Sequence, residues 1–152
     1  MSIVWTKDLD TGIDIIDEQH KTIVKFINQL DQEIKQKAPQ SVGTVLTELS
    51  DYCISHLAFE ERLMMEAGYP HAKPHKALHD MFVKRLRKYQ EKHRAGENVA
   101  KQLHEMLGAW LVHHIKQTDM AYVSDVKKHL GHIDKQDEGE GWLGRSLKMF
   151  FG

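Results

Sequence analysis

The chain has 152 residues, 41% of them apolar and 28% charged, which fits one globular domain with its own core and not a disordered segment. Twenty-one basic residues against 22 acidic ones leave a formal charge of −1, so no nucleic-acid footprint is expected. The single Cys53 excludes an internal disulfide, and the opening MSIVWTKDLD lacks the basic start and apolar run of a secretory signal. No apolar stretch approaches the roughly 18–20 residues that span a bilayer, and a cytoplasmic protein is expected.

After an N-terminal arm (about 1–16), four long segments follow, separated by Gly- and Pro-containing clusters at 37–43, 67–74 and 94–98. In the first, Ile23, Val24, Ile27, Leu30 and Ile34 recur at steps of three and four, one stripe of a helix. Val45, Leu46, Leu49, Cys53, Phe59 and Leu63 line the second; Leu78, Phe82, Val83, Leu86 and Tyr89 the third; Leu103, Leu107, Trp110 and Leu111 the fourth. Four amphipathic helices of similar length with short connections predict an all-α protein, an up-down-up-down antiparallel four-helix bundle. The bundle domain is expected over 1–130, with a linker and an amphipathic C-terminal tail over 131–152.

Polar residues interrupt these stripes. His20 heads the first, three before Ile23; His56 and Glu60 lie on the second; His75 and His79, four apart, lie on the third. His71 keeps the same spacing, but Pro74 fits a first helical turn and places His71 in the preceding loop. On the fourth, His114 continues the row Leu103, Leu107, Trp110, whereas His113 points about 100° away. Asp119 is five after His114, a divergence of roughly 140°, so the two share one site only if it spans two metals or the helix deforms. Glu61 points off its stripe and reads as a solvated surface charge; His71, His93, His104, His113, His129 and His132 read as surface or structural. Tyr122, three after Asp119, is either a packing residue or a hydrogen-bond partner of a ligand.

A buried polar group without a partner costs on the order of 2–7 kcal/mol, and a carboxylate more. Five imidazoles and two carboxylates in one core therefore require a common partner, and a metal site supplies it. The set suits iron, zinc, manganese or copper; the lack of thiolates argues against a Cys-rich site, and seven ligands exceed one tetrahedral ion but suit two octahedral ones.

At these residues the chain resembles the hemerythrins, in particular the bacterial hemerythrin-like proteins. One early His, then HxxxE, HxxxH and HxxxxD, appear as His20, His56 to Glu60, His75 to His79 and His114 to Asp119. The resemblance runs from about residue 3 to 125, with Trp5, GIDIIDEQHK, YPHAKPHKALH and WLVHHIKQTDMAY. It implies a non-haem di-iron centre with an oxo or hydroxo bridge that binds dioxygen reversibly, for storage, delivery or sensing. His75, His79 and His114 match the ligands of one iron, His20 and His56 those of the other, and Glu60 and Asp119 the bridging carboxylates. The positions around the open coordination site match Ile23, Trp110, Leu111 and Ile115, an apolar oxygen pocket. The alternative is a di-iron enzyme handling peroxide, nitric oxide or oxygen activation; the chain has no ExxH motif of the ferritin-like kind, which favours binding without enzymatic activity.

Beyond residue 130, KQDEGEG reads as a polar linker, and Trp142, Leu143, Leu147, Phe150 and Phe151 share one half of a helical wheel. This tail is expected to fold back, dock a protein partner or lie on a membrane surface. A monomer is expected.

Overall fold

A computed structural model describes residues 3–36 and 39–136, with side chains assigned outside 37–40 and 132–136. Four long helices, α1 (Asp14–Lys35), α2 (Pro39–Glu66), α3 (Ala72–Arg94) and α4 (Ala100–Gln117), follow the four periodic segments. α1 packs on α2, α2 on α3, α3 on α4 and α4 on α1, which closes the four-helix bundle. Among the described residues there is no strand, and no helix is long and apolar enough to cross a membrane.

The helix ends follow from local chemistry. Before α1, the Asp17 carboxylate accepts hydrogen bonds from Thr11 N, Thr11 Oγ1 and Gly12 N at 2.8, 2.7 and 3.1 Å, which fixes the chain's entry into the helix. α2 ends at Gly68 (φ +70°), where Tyr69 N donates to Met64 O and Gly68 N to Met65 O. α3 ends in the same way at Gly96 (φ +89°), with Glu97 N donating to Lys92 O. This stop needs a left-handed residue, which glycine adopts without steric cost. His71 is exposed and immediately precedes α3, with Pro74 in the first turn, as the proline rule predicts.

The stripes bury as their period requires, with one exception. Ile27, Leu30, Leu49, Leu86 and Leu103 are fully buried, but Leu78 is 45% exposed. The buried row of α3 runs through His75, His79, Phe82 and Leu86, and Leu78 lies about 70° from its middle. The chain also continues past the fourth segment: a short 3-10 turn (Asp119–Tyr122) leads into a fifth helix, α5 (Val123–Gln136), packed against α2. Residues 142–151, assigned to an amphipathic tail, lie outside the described residues.

The core falls into two apolar clusters. One runs along the bundle through Ile23, Ile27, Leu30, Leu49, Leu86, Leu103 and Leu107; the other joins Ile16, Phe59, Leu63, Met64, Tyr122 and Val126 beneath α5. His20 lies between Ile16 and Ile23, and Glu60 between Leu57 and Leu63, so the buried polar residues fall where the clusters meet. Leu103→Ala, deep in the first cluster, is expected to destabilise the fold by about 2–5 kcal/mol in urea unfolding of the metal-free protein; a change within error would show that this cluster does not carry the bundle.

Candidate metal centre

Every element of the bundle contributes to one buried polar group. α1 supplies His20, α2 His56 and Glu60, α3 His75 and His79, α4 His114, and the following turn Asp119. None of the seven is more than 4% exposed, and the structure brings all seven together. The phase conflict between His114 and Asp119 is resolved by deformation. α4 stops at Gln117, and Thr118 (φ −106°, ψ −50°) turns the chain into the 3-10 segment. The Asp119 carboxylate thereby swings back to within 3.0 Å of His114 Nε2. His113 remains exposed.

Asp119 occupies the middle. Its Oδ1 lies 3.0 Å from His114 Nε2 and 3.2 Å from His75 Nε2, while Oδ2 lies 3.2 Å from His20 Nε2. Glu60 Oε2 lies 2.8 Å from His56 Nε2. His114 Nε2 is 3.2 Å from His75 Nε2 and 3.0 Å from His79 Nε2. Two donor groups result, one of Glu60, His75, His79, His114 and Asp119, the other of His20, His56 and Glu60, each with its ligand atoms within 4.8 Å of one another. Glu60 belongs to both, and Asp119 reaches from the first group to His20.

These atoms are close without being paired. His20 Nε2, Glu60 Oε2 and both Asp119 oxygens are buried and make no aligned hydrogen bond. So many unsatisfied polar atoms facing one point would be costly. A cation at that point would satisfy them, and nitrogens about 2.1 Å from one octahedral ion stand about 3 Å apart, the spacing of His114 from both His75 and His79. The carboxylates are held ionised; His114, although burial lowers its proton affinity, is raised by the Asp119 and Glu60 carboxylates, whose charge a cation would take over. Burial raises the Asp119 carboxyl, but its contacts with His114, His20 and His75 outweigh this and hold it well below the usual carboxylate range. For Glu60, burial and the Asp119 charge are likewise outweighed, with His56 contributing most, and its affinity for a proton is lowered. Burial lowers that of His56. Cys53 is the converse: burial pushes its thiol up to about 12, so it offers no thiolate.

Outer partners fix the ligand tautomers. His56 Nδ1 meets Gln19 Oε1 at 2.5 Å and His79 Nδ1 meets Glu61 Oε1 at 3.2 Å; both oxygens accept, so each ring carries its proton on Nδ1 and presents a bare Nε2 to the centre. Glu61 is therefore not a solvated surface charge: it is 19% exposed and bound to a candidate ligand. Neither residue stands on a ligand motif; their signal is position alone, one residue before His20 and one after Glu60. The Tyr122 hydroxyl donates to Glu60 Oε1 at 2.9 Å, and burial keeps it protonated, its pKa raised well above the tyrosine range.

Beside His20, His56 and His114, an apolar cavity of about 10 Å³ is bounded by Ile23, Cys53, Trp110 and Leu111 among others. It holds about one small molecule. Ile115 is fully buried but does not line it. The Trp110 ring is stacked between Phe82 and His114, with centroid distances of 3.8 and 4.3 Å.

Comparison with known proteins agrees with this arrangement. The family described as Hemerythrin HHE cation binding domain matches residues 11–126. The chain is 45% identical over 150 residues to the bacteriohemerythrin of Stenotrophomonas maltophilia, covering 99% of this chain and 98% of that one. It is 34% identical over 122 residues to that of Methylococcus capsulatus, covering 79% and 93%. A crystal structure of wild-type hemerythrin superposes with a TM-score of 0.80 at 31% identity, covering 83% of this chain and 98% of that one. The buried carboxylate and imidazole cluster thus stands in a chain that belongs to the hemerythrin family.

Proposed function

We propose that the protein binds dioxygen reversibly at a non-haem di-iron centre, as a carrier, store or sensor and not as an enzyme. In this reading His75, His79 and His114 hold one iron, His20 and His56 the other, and Glu60 and Asp119 bridge them. The observation that carries it is the division of Asp119, with Oδ1 facing His75 and His114 and Oδ2 facing His20, as a carboxylate shared between two ions requires. When bound, the iron pair supplies the electrons that hold oxygen reversibly.

The side chains supply the selectivity. With three histidines for one ion and two for the other, the open position would fall beside His20 and His56, both of which line the apolar cavity together with His114. Ile23, Trp110 and Leu111 exclude water there, and the neutral Cys53 thiol is a poor proton source. A cavity this small and apolar suits a neutral diatomic molecule and would withhold the protons that carry oxygen on to peroxide release. Gln19 and Glu61 hold His56 and His79 in place, and Tyr122 holds Glu60.

Three outcomes are expected. Iron-loaded, reduced protein, followed by visible absorption as oxygen is admitted and removed, should colour and bleach reversibly at about two irons per chain; irreversible oxidation, or one ion per chain, would sink the reading. Leu111→Ala opens the cavity to water and should shorten the lifetime of the oxygenated form; a lifetime equal to wild type would remove Leu111 from the shield. Glu61→Gln, by weakening the acceptor on His79 Nδ1, should lower metal affinity by about 10–100-fold in competition with a chelator, and an unchanged affinity would make Glu61 a bystander.

A further inference from the structure

An oxygen carrier whose iron pair has lost its electrons binds no more oxygen until it is reduced again, and the reading above assigns no point of entry for those electrons. α3 offers one. Pro74, Leu78, Met81, Arg85, Lys88 and Lys92 recur at steps of four, three, four, three and four and are all exposed, which makes them one solvent-facing stripe. Its first half is apolar, with Leu78 45% and Met81 64% exposed. Its second half is cationic, and Arg85, Lys88, Lys92 and Tyr89 enclose a depression of about 230 Å³, with room for a carboxylate side chain.

Positive charge is concentrated here. Residues 84–94 contain Lys84, Arg85, Arg87, Lys88, Lys92 and Arg94 against Glu91, a formal +5; the whole chain sums to −1, so the remainder carries −6. Among the described residues, none of these six cations is in an ion pair. The apolar half of the stripe also lies on the ligand-bearing part of α3. Leu78 directly precedes His79, and the His79 ring contacts the partly exposed Glu61 at 3.2 Å.

We propose that this stripe is the docking face for an acidic one-electron donor protein that re-reduces the oxidised centre, a role that rests on the di-iron reading. Apolar contacts around Leu78 and Met81 would form the centre of the contact, and Arg85, Lys88 and Lys92 would steer a carboxylate-ringed partner onto it, the pattern of a small transient interface. Each encounter would supply one electron to an iron held by the buried histidines and carboxylates; two would restore the pair, with the proton that converts an oxo to a hydroxo bridge drawn from solvent, and no bond in the chain would form or break. A compact acidic protein fits the stripe, because its apolar half and its cationic half lie end to end on one helix over about five turns.

The test uses a reduced plant-type [2Fe–2S] ferredoxin as the acidic donor probe and dithionite as a small reductant. At low salt, the double variant Arg85→Glu/Lys88→Glu, and separately Met81→Glu, should lower the second-order rate of reduction by ferredoxin by about tenfold or more, with the dithionite rate at high salt, where its own negative charge is screened, unchanged. The wild-type ferredoxin rate should fall as salt rises. Equal ferredoxin rates in wild type and variants would overturn the proposal. So would a wild-type affinity for phosphatidylglycerol vesicles or duplex DNA that the double variant loses while its ferredoxin rate holds. Calorimetric titration of the metal-free protein with oxidised ferredoxin reads the surface independently: if iron fails to load or oxygen fails to bind, the di-iron reading falls, and this titration still decides whether the stripe binds an acidic protein.

Discussion

Two carboxylates and five imidazoles face one another in the interior of a helical bundle, and the surrounding fold is organised by that electrostatic demand. Asp119 is the pivot. Fully buried, it contacts His20, His75 and His114 through two oxygens that no aligned hydrogen bond satisfies. Such a group is tolerable only because positive charge or a cation gathers around it. The elements are set accordingly: α1, α2, α3 and α4 each turn at least one imidazole inward at the same level, where the two apolar clusters meet.

That demand also explains the irregular stretch of backbone. A continuous α4 would carry Asp119 away from His114, and the break at Thr118 returns it. The same break directs the chain into α5, whose Val126 joins Ile16, Phe59, Leu63 and Tyr122 in the second cluster. Tyr122 serves both purposes, burying its ring in that cluster and donating its hydroxyl to Glu60. One local departure from helical geometry thus closes the centre and caps the bundle's end.

Much of this was legible in the sequence, because a 3.6-residue period is simple to read and seven polar residues on buried stripes are conspicuous. Helical phase alone separated His114 from His113, and Pro74 separated His75 from His71. What escaped lies where periodicity has no purchase. Leu78 kept a step of four to Phe82, yet the inward row of α3 is taken by His75 and His79, which turns Leu78 outward. Glu61 looked solvated because adjacent helical positions diverge, but at the edge of the buried face a long carboxylate reaches back to a ring nitrogen. Gln19 contacts His56 across α1 and α2, a pairing between helices that no spacing within one helix encodes. The 3-10 turn likewise follows from a tertiary requirement and not from residue preference.

Burial of the cluster fixes how its contents come and go. The ligand atoms come from residues 20 to 119, spread over four helices and a turn, and none of their side chains reaches the surface. Ions held there fasten distant parts of the chain to one another as a cross-link does, and no single helix can let go alone. Release of such ions would require the bundle to part, which would couple metal turnover to the rare opening of the whole fold. A small neutral molecule needs only a path to a cavity of its own size. One core would thus present a slow gate to bound ions and a faster one to a small molecule.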